Sequence, residues 1–169
     1  MRRVAVYPGS FDPVTFGHVD LIERGRRHSD ELVVAVLHND EKRAAFSLDQ
    51  RTDMLVQATA GMDNVRIDTF SGLLVDYARS IGAGVILRGI RAVSDFEYEL
   101  QMAMMNRHLH SELETMFLVP SEKYSYLSSR LVREVARLGG DVSRHVPAFV
   151  AAALEDKFRR AETPSAERP

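Results

Sequence analysis

Residues 4–18 read VAVYPGSFDPVTFGH, and this stretch decides the fold. Its first four residues form a short apolar strand that runs directly into a glycine-containing turn, and the turn opens an amphipathic helix with Thr15 as N-cap. Backbone N–H groups in such a turn face a ligand, and the positive end of the helix dipole adds to the attraction for an anion. His18, about one turn into the helix, supplies a further donor. The stretch predicts a phosphate-binding turn, although His18 could instead be satisfied by solvent or a carboxylate.

Strand-like apolar runs recur along the chain and alternate with segments of helical periodicity. The runs cover residues 33–37, 65–67, 85–87 and 116–119. They are almost continuously apolar, which is typical of strands that are buried on both faces of a parallel sheet. The pattern predicts an α/β fold, a Rossmann-like doubly wound sheet of about five parallel strands with helices on both faces.

Capping and stop signals indicate where the helices begin and end. Ser47 is followed three residues later by a glutamine and Ser94 by a glutamate, the capping-box pattern that satisfies free backbone donors at a helix start. Serine, glycine and proline residues bound the other helices. We expect further helices to start at Ser71, at Ser128 and near Pro147, and the first two of these to stop at Gly82 and Gly139.

The composition is that of one globular domain. The 169 residues are 45% apolar and 27% charged, which suffices for a single substantial core. We expect one domain over residues 1–161 and a disordered tail over residues 162–169, which have little to bury. A net charge of −2 gives no broad basic surface for nucleic acid, and the lack of cysteine excludes disulfides and a cysteine nucleophile. No run reaches membrane-spanning length and no signal peptide precedes the first strand, so we expect a cytoplasmic protein.

One predicted helix, over residues 96–109, is apolar around most of its circumference. Its apolar residues include three methionines, which fill irregular gaps well. One face of a sheet cannot cover such a helix, so we expect it to form a subunit interface. The alternative is a helix buried deep within a monomer.

Cationic and hydroxyl side chains follow several of the predicted strands. In a doubly wound sheet, ligands bind outside the carboxyl ends of the strands, where the strand order reverses. Fixed positive charge, oriented donors and a helix N-terminus suit a triphosphate, whose transfer needs no protein nucleophile. The side chains that we expect around this crevice are Ser10, His18, Lys42, Arg88, Arg91, Ser125, Ser128 and Ser129.

Each of these side chains also has a simpler explanation. Arg88 or Arg91 alone could pair with a nearby carboxylate at the surface. Lys42 lies in a charged loop, where a solvated lysine is the usual case. Ser128 could act only as an N-cap, although a phosphate at that helix start would use the same donors. The hypothesis therefore depends on all of them converging on one crevice.

Several other catalytic motifs are absent from the sequence. It contains neither the G-x-x-x-x-G-K-[ST] of Walker-type NTPases nor the G-x-G-x-x-G of dinucleotide dehydrogenases, and neither G-x-S-x-G nor H-E-x-x-H. His108 and His110 are two residues apart on a helix and point to different faces, which argues against a protein metal site.

Longer motifs make the resemblance to a known family specific. Residues 15–18 match T-x-G-H, and residues 88–99 read RGIRAVSDFEYE. Together with FSL at 46–48, MNR at 105–107 and LSS at 127–129, they resemble the bacterial phosphopantetheine adenylyltransferases, a family of nucleotidyltransferases. The T-x-G-H motif is shared with related transferases, whereas the longer block is more specific. The resemblance covers all but about the last ten residues.

The resemblance implies the reaction and its partners. Members of this family transfer AMP from ATP to 4′-phosphopantetheine, giving dephospho-coenzyme A and pyrophosphate, with Mg²⁺ bound mainly through the ATP phosphates. They are usually homohexamers, and coenzyme A is a feedback ligand to be considered. Alternatives are another adenylyl- or cytidylyltransferase on the same scaffold, or a non-catalytic nucleotide-binding protein.

The resemblance also implies residue roles. His18, Lys42 and Arg91 would be catalytic, and Ser10, Lys42, Leu74 and Arg88 would bind the acceptor. The residues implied for ATP are Ser10, Phe11, His18, Gly89, Ile90, Arg91, Glu99, Tyr124, Ser125, Tyr126, Leu127, Ser128, Ser129 and Arg130. The chain departs from the family's usual pattern at some positions, among them Phe16, where Asn is common, and Arg130, where Ser is frequent.

Overall fold

The computed structural model describes residues 2–38 and 44–162 and shows a five-stranded parallel sheet. The strands are β1 (Val4–Gly9), β2 (Glu31–Leu37), β3 (Val65–Phe70), β4 (Ala83–Gly89) and β5 (Glu114–Leu118). Their spatial order is β3-β2-β1-β4-β5, and every pair of neighbours is parallel. The order reverses at β1, so the predicted doubly wound α/β sheet is confirmed and its crevice opens after β1 and β4.

Within residues 2–38 and 44–162, six α-helices accompany the sheet. They are α1 (Phe16–Gly25), α2 (Leu48–Ala58), α3 (Leu74–Ser80), α4 (Val93–Leu109), α5 (Ser129–Arg137) and α6 (Ala148–Glu162). Short 3₁₀ turns follow α1 at Arg26–His28 and precede α5 at Glu122–Tyr124. The helix α6 includes Glu162, the first residue of the predicted tail, and residues 163–169 lie outside the described residues.

The pleat of the central strand divides the core into two clusters. Ala5 and Tyr7 belong to the cluster that α1, α2, α5 and α6 cover, whereas Val6 belongs to the cluster on the opposite face with Val75 of α3. Alternate side chains of a strand point to opposite faces, so β1 contributes to both clusters. Helices therefore cover both faces, as the apolar strands predict.

The helix starts follow the sequence in part. Thr15, Ser47 and Ser128 are the N-caps of α1, α2 and α5, as predicted. The predicted caps Ser94 and Ser71 are wrong, since α4 starts after Ala92 and α3 after Leu73, neither with a side-chain cap. At α4 the short connection from β4 starts the helix early, and the Asp95 carboxylate accepts the Arg91 N–H at 3.3 Å instead.

The helix α4 exposes much of its apolar surface. Large apolar side chains on it are 39–66% exposed, which contradicts the alternative of a helix buried within a monomer. An exposed set of this size is typical of a surface that meets another molecule. The exposed side chains are Phe96, Tyr98, Leu100, Met102, Met104, Met105 and Leu109. Over the described ranges, no helix combines the length and apolar character required to cross a bilayer.

Candidate active site

A cavity of about 220 Å³ opens at the carboxyl ends of β1 and β4, where the strand order reverses. Residues of the turn after β1, the start of α1, the end of β4 and the start of α5 line it. These segments are far apart in sequence, and the switch in strand order brings them together. The cavity therefore lies where the sequence predicts the ligand site.

His18 lies at this cavity as the third residue of α1 and completes a capping box with Thr15. The Thr15 backbone N–H donates to His18 Nδ1 at 3.0 Å, so Nδ1 is an acceptor and the neutral ring carries its proton on Nε2. Burial lowers the pKa of His18, and the nearby charge of Arg91 lowers it further, to about 4. Near neutral pH, His18 is thus a neutral donor through Nε2.

Arg91 lies at the same cavity, and its side chain is held by two residues. Its guanidinium pairs with Asp95 at 3.0 Å, and its Nη1 donates to the Leu127 carbonyl at 3.0 Å. The second contact links the end of β4 to the residues that precede α5. His18 and Arg91 line one cavity, so the convergence on which the sequence hypothesis depends is present for this pair.

Arg88 forms a two-point ion pair with Glu99, a residue of α4 that is 8% exposed. Arg88 Nε lies 2.6 Å from Glu99 Oε2, and Nη2 lies 2.5 Å from Oε1. Nη1 also donates to the Pro8 carbonyl at 3.0 Å. Burial lowers the pKa of Arg88, but the pairing with Glu99 more than offsets this and leaves its pKa raised. A permanent positive charge is therefore held in fixed orientation at the end of β4.

A second cavity of about 420 Å³ adjoins the first and shares Pro8, Gly9, Arg88 and Glu99 with it. Its walls come from the start of α3 and from one face of α4, including Leu74, Tyr98 and Met102. Asn106 also lines it and is 8% exposed, with no side-chain hydrogen bond to any of the described residues. The space suits an extended, largely apolar chain that carries an occasional amide.

The predicted site residues divide into three groups. Those that line the first cavity are Phe11, His18, Arg88, Gly89, Arg91, Glu99, Tyr124, Leu127, Ser128 and Ser129. Those that line the second are Ser10, Leu74, Arg88 and Glu99. Ile90, Ser125, Tyr126 and Arg130 line neither cavity. Lys42 lies outside the described residues, so its predicted place is not tested.

Local contacts explain why these four residues stand away from the cavities. The Ile90 N–H donates to Leu118, which continues the sheet, and the Ser125 hydroxyl donates to Glu122 within a turn. Tyr126 is 60% exposed with its ring against His145, and Arg130 is exposed on α5. Their predicted contacts with ATP remain predictions.

Three charged residues that the sequence reasoning missed hold the predicted phosphate-binding turn after β1 in place; this turn is called the phosphate turn below. The Asp12 carboxylate accepts the N–H groups of Ala45 and Phe46 at 2.8 and 2.9 Å. Arg133 of α5 donates to the Asp12 carbonyl and pairs with its carboxylate. Arg51 of α2 donates to the Ser10 carbonyl at 2.8 Å. The turn is therefore anchored to α2 on one side and to α5 on the other.

Known proteins are similar in sequence to this chain over nearly its whole length. The cytidylyltransferase-like family model matches residues 6–135. A protein named phosphopantetheine adenylyltransferase from Thermosynechococcus vestitus is 55% identical, with 98% of each chain covered. One of the same name from Caldanaerobacter subterraneus subsp. tengcongensis is 52% identical over 94% of this chain and 99% of that one. The chain belongs to the phosphopantetheine adenylyltransferase family.

A solved structure supports the fold from a greater distance. A Vibrio parahaemolyticus protein assigned as a nicotinate-nucleotide adenylyltransferase superposes with a TM-score of 0.72, covering 96% of this chain and 98% of that one. The identity is 16%, so this likeness shows the fold alone.

Residues 88–99, the longer block on which the resemblance rests, form the junction between the two cavities. Within residues 88–99, Arg88 pairs with Glu99 and Arg91 pairs with Asp95. Both pairs join the end of β4 to α4, so the motif encodes the orientation of two cations.

Proposed function

We propose that this chain transfers AMP from ATP to 4′-phosphopantetheine, giving dephospho-coenzyme A and pyrophosphate. The observation that carries the proposal is the pair of adjoining cavities, one lined by the T-x-G-H turn and one by apolar residues, which share Arg88. Relatives at 52–56% identity that bear the name of this enzyme support the same reaction.

The first cavity is the site that we assign to ATP. Its polyphosphate would lie between the phosphate turn and the start of α5, where Ser128 and Ser129 stand at a helix N-terminus. His18 Nε2–H and the Arg91 guanidinium would face the α-phosphate. The proposed ATP contacts of Ile90, Ser125, Tyr126 and Arg130 rest on the resemblance to the family.

The second cavity is the site that we assign to the acceptor. Its phosphate would lie near Arg88 and Ser10, at the end shared with the first cavity. The pantetheine arm would extend along Leu74, Tyr98 and Met102, and the side chain of Asn106 would meet one of its amides. The Asn106 side chain lies at the cavity wall without a described hydrogen-bond partner, so its amide can donate to or accept from a ligand there. Lys42 is proposed as a second phosphate ligand on the resemblance to the family.

The chemistry then needs only alignment and charge stabilisation. An oxygen of the acceptor phosphate attacks the α-phosphorus of ATP, the bond from that phosphorus to the bridging oxygen breaks, and pyrophosphate leaves. The acceptor is already an anion, so no general base is required. His18 would donate from Nε2 to the α-phosphoryl oxygens, and the fixed charges of Arg91 and Arg88 would offset the growing negative charge.

Magnesium would enter with the nucleotide. The carboxylates of the first cavity, Asp95 and Glu99, are both paired with arginine, and no group of three or more metal ligands occurs within residues 2–38 and 44–162. This donor set fits an ion that is held by phosphate oxygens and water. When bound, Mg²⁺ would supply further charge neutralisation at the phosphates.

The exposed face of α4 supports an assembled enzyme. Four of its exposed large apolar side chains, Phe96, Leu100, Met104 and Met105, lie outside the second cavity and favour contact with further copies. We propose the homohexamer that the resemblance implies. We also propose coenzyme A as a feedback ligand, because it contains the dephospho-coenzyme A that the reaction forms. We propose the cytoplasm as the site of the reaction.

The test is pyrophosphate release with defined substrate pairs. Release is expected with ATP and 4′-phosphopantetheine and should be far slower with CTP or with nicotinate mononucleotide as acceptor. Faster release with another pair would identify a different transferase of the same superfamily. Nucleotide binding with no release from any pair would identify a non-catalytic protein.

A further inference from the structure

Asp20 and Arg24 of α1 hold the start of the chain segment that forms one wall of the first cavity. The Ser121 N–H donates to Asp20 Oδ2 at 2.9 Å and the Ser121 hydroxyl donates to Oδ1 at 2.6 Å. Arg24 Nη1 donates to the Val119 carbonyl at 2.7 Å and pairs with Asp20 at 3.3 Å. Three of these contacts join α1 to residues about a hundred positions later in the chain, and the fourth, between Arg24 and Asp20, lies within α1.

The segment that these contacts hold, residues 119–129, leads from β5 to α5. Its Pro120, Tyr124 and Leu127 line the first cavity. Within it, the hydrogen bonds are those of local turns, such as the Tyr124 N–H to the Ser121 carbonyl at 2.8 Å. Its far end is held by the Ser129 hydroxyl, which donates to the Pro13 carbonyl at 2.7 Å. Asp20 and Arg24 therefore fix the end that Ser129 does not.

We propose that Asp20 is a positioning residue for the nucleotide, acting through Ser121 on the 119–129 segment. The inference rests on the proposed function of the first cavity. None of the residues of this segment lines the second cavity, so Asp20 should affect the nucleotide and leave the acceptor unaffected. Asp20 itself does not line the first cavity, so its effect is indirect.

The charge of Asp20 is what makes the contact strong. Burial opposes ionisation, but the hydrogen bonds from Ser121 and Arg24 outweigh it and hold the pKa of Asp20 below its usual value. Charge-assisted hydrogen bonds are stronger than neutral ones, and a backbone N–H can be held only by an acceptor. Asparagine at this position keeps the shape, but loses the charge and turns one acceptor into a donor.

The experiment compares Asp20→Asn with the native enzyme in steady-state kinetics and in direct calorimetric titration with ATP. If residues 119–129 keep their native position in about a tenth of the Asp20→Asn molecules, the apparent Kd for ATP rises about 10-fold. This rise corresponds to a loss of about 1.4 kcal/mol in binding free energy. The KM for ATP should rise with it, whereas kcat and the KM for 4′-phosphopantetheine should stay within about threefold. A general loss of structure would lower kcat and affect both substrates.

Glu23→Gln is the matched control, because Glu23 is a carboxylate on the same helix that pairs only with Arg26 and Arg27 among the described residues. It should leave the Kd for ATP unchanged. Ser121→Ala removes one of the two Asp20 contacts and should give a smaller rise, and it serves as the test if Asp20→Asn does not fold. In the double variant the two effects should not add, since the hydroxyl acts through the carboxylate.

The outcomes separate this inference from the proposed function. Unchanged ATP affinity in both Asp20→Asn and Ser121→Ala, in an enzyme that still adenylylates 4′-phosphopantetheine, overturns the inference alone. An equal rise in the KM of both substrates overturns it as well. A native enzyme that shows no adenylyl transfer overturns the proposed function, whatever the variants do.

Discussion

The low pKa of His18 predicts how the stability of the variant His18→Asn should depend on pH. The Oδ1 of asparagine can take the place of Nδ1 and keep the hydrogen bond from the Thr15 N–H, so the turn should stay folded. What the substitution removes is a base whose pKa falls from 6.5 to about 4 on folding. The unfolded chain then binds a proton between these two pH values and the folded chain does not, so stability is lost as the pH falls through this range.

The magnitude follows from the two pKa values. Between about pH 7 and pH 4.5, His18 should account for a loss of about 2 kcal/mol in the free energy of unfolding, since one pKa unit corresponds to about 1.4 kcal/mol. Over the same pH range, the free energy of unfolding of His18→Asn should fall by about 2 kcal/mol less than that of the native protein. Most of the loss should appear below about pH 6 and be complete below about pH 4.

The assay is urea unfolding at both pH values, with all proteins at one concentration so that subunit association contributes equally. His28→Asn is the matched control, since it makes the same substitution at an exposed histidine away from the first cavity. A direct NMR titration of the His18 ring should place its midpoint near pH 4 in the absence of nucleotide. Parallel pH dependence of His18→Asn and the native protein, within about 0.5 kcal/mol, would refute the reasoning.

Three further predictions concern activity and assembly. His18→Ala should lower kcat about 100-fold or more in the pyrophosphate assay while calorimetry still detects ATP binding, and a loss below about threefold would remove His18 from the mechanism. Glu99→Gln should lower kcat/KM for 4′-phosphopantetheine at least about 10-fold, because Arg88 loses its charged partner; steady-state kinetics with an unchanged value would contradict a role through Arg88. Met105→Glu should dissociate the proposed homohexamer, since this side chain is 54% exposed on α4 and a charge there would be buried in the interface. Light scattering measures the mass of the assembly, and an unchanged mass would exclude this part of α4 as an interface.

Much of the fold could be predicted from local patterns. The apolar runs predict the strands because burial on both faces leaves few polar positions. Thr15 predicts a helix start as a threonine before an amphipathic segment. Ser47 predicts one because its capping partner lies three residues away. Ser94 fits the same pattern and fails, because the start of α4 is set by the short connection after β4. A capping pattern therefore predicts a helix start only where the connection before the helix is long enough not to set the start itself.

The candidate site could be predicted where its residues follow strands, and not where they act at long range. His18 and Arg91 line one cavity because each lies in the segment that follows one of two neighbouring central strands, β1 and β4. The partners of Asp12 and Asp20 are backbone N–H groups 33 and 101 residues away, and no spacing in the sequence indicates such pairs. Asn106 was missed for a different reason: which face of α4 meets the second cavity depends on how that helix packs.

The division of β1 between the two core clusters has a consequence for how the enzyme acquires activity. A slip of β1 by one residue against β2 would exchange Val6 and Tyr7 between the two sides of the sheet. The same slip would carry the phosphate turn out of line with Arg88 and Arg91. A molecule that has completed its hydrophobic interior has therefore also aligned the residues proposed for catalysis, with no later adjustment of this strand.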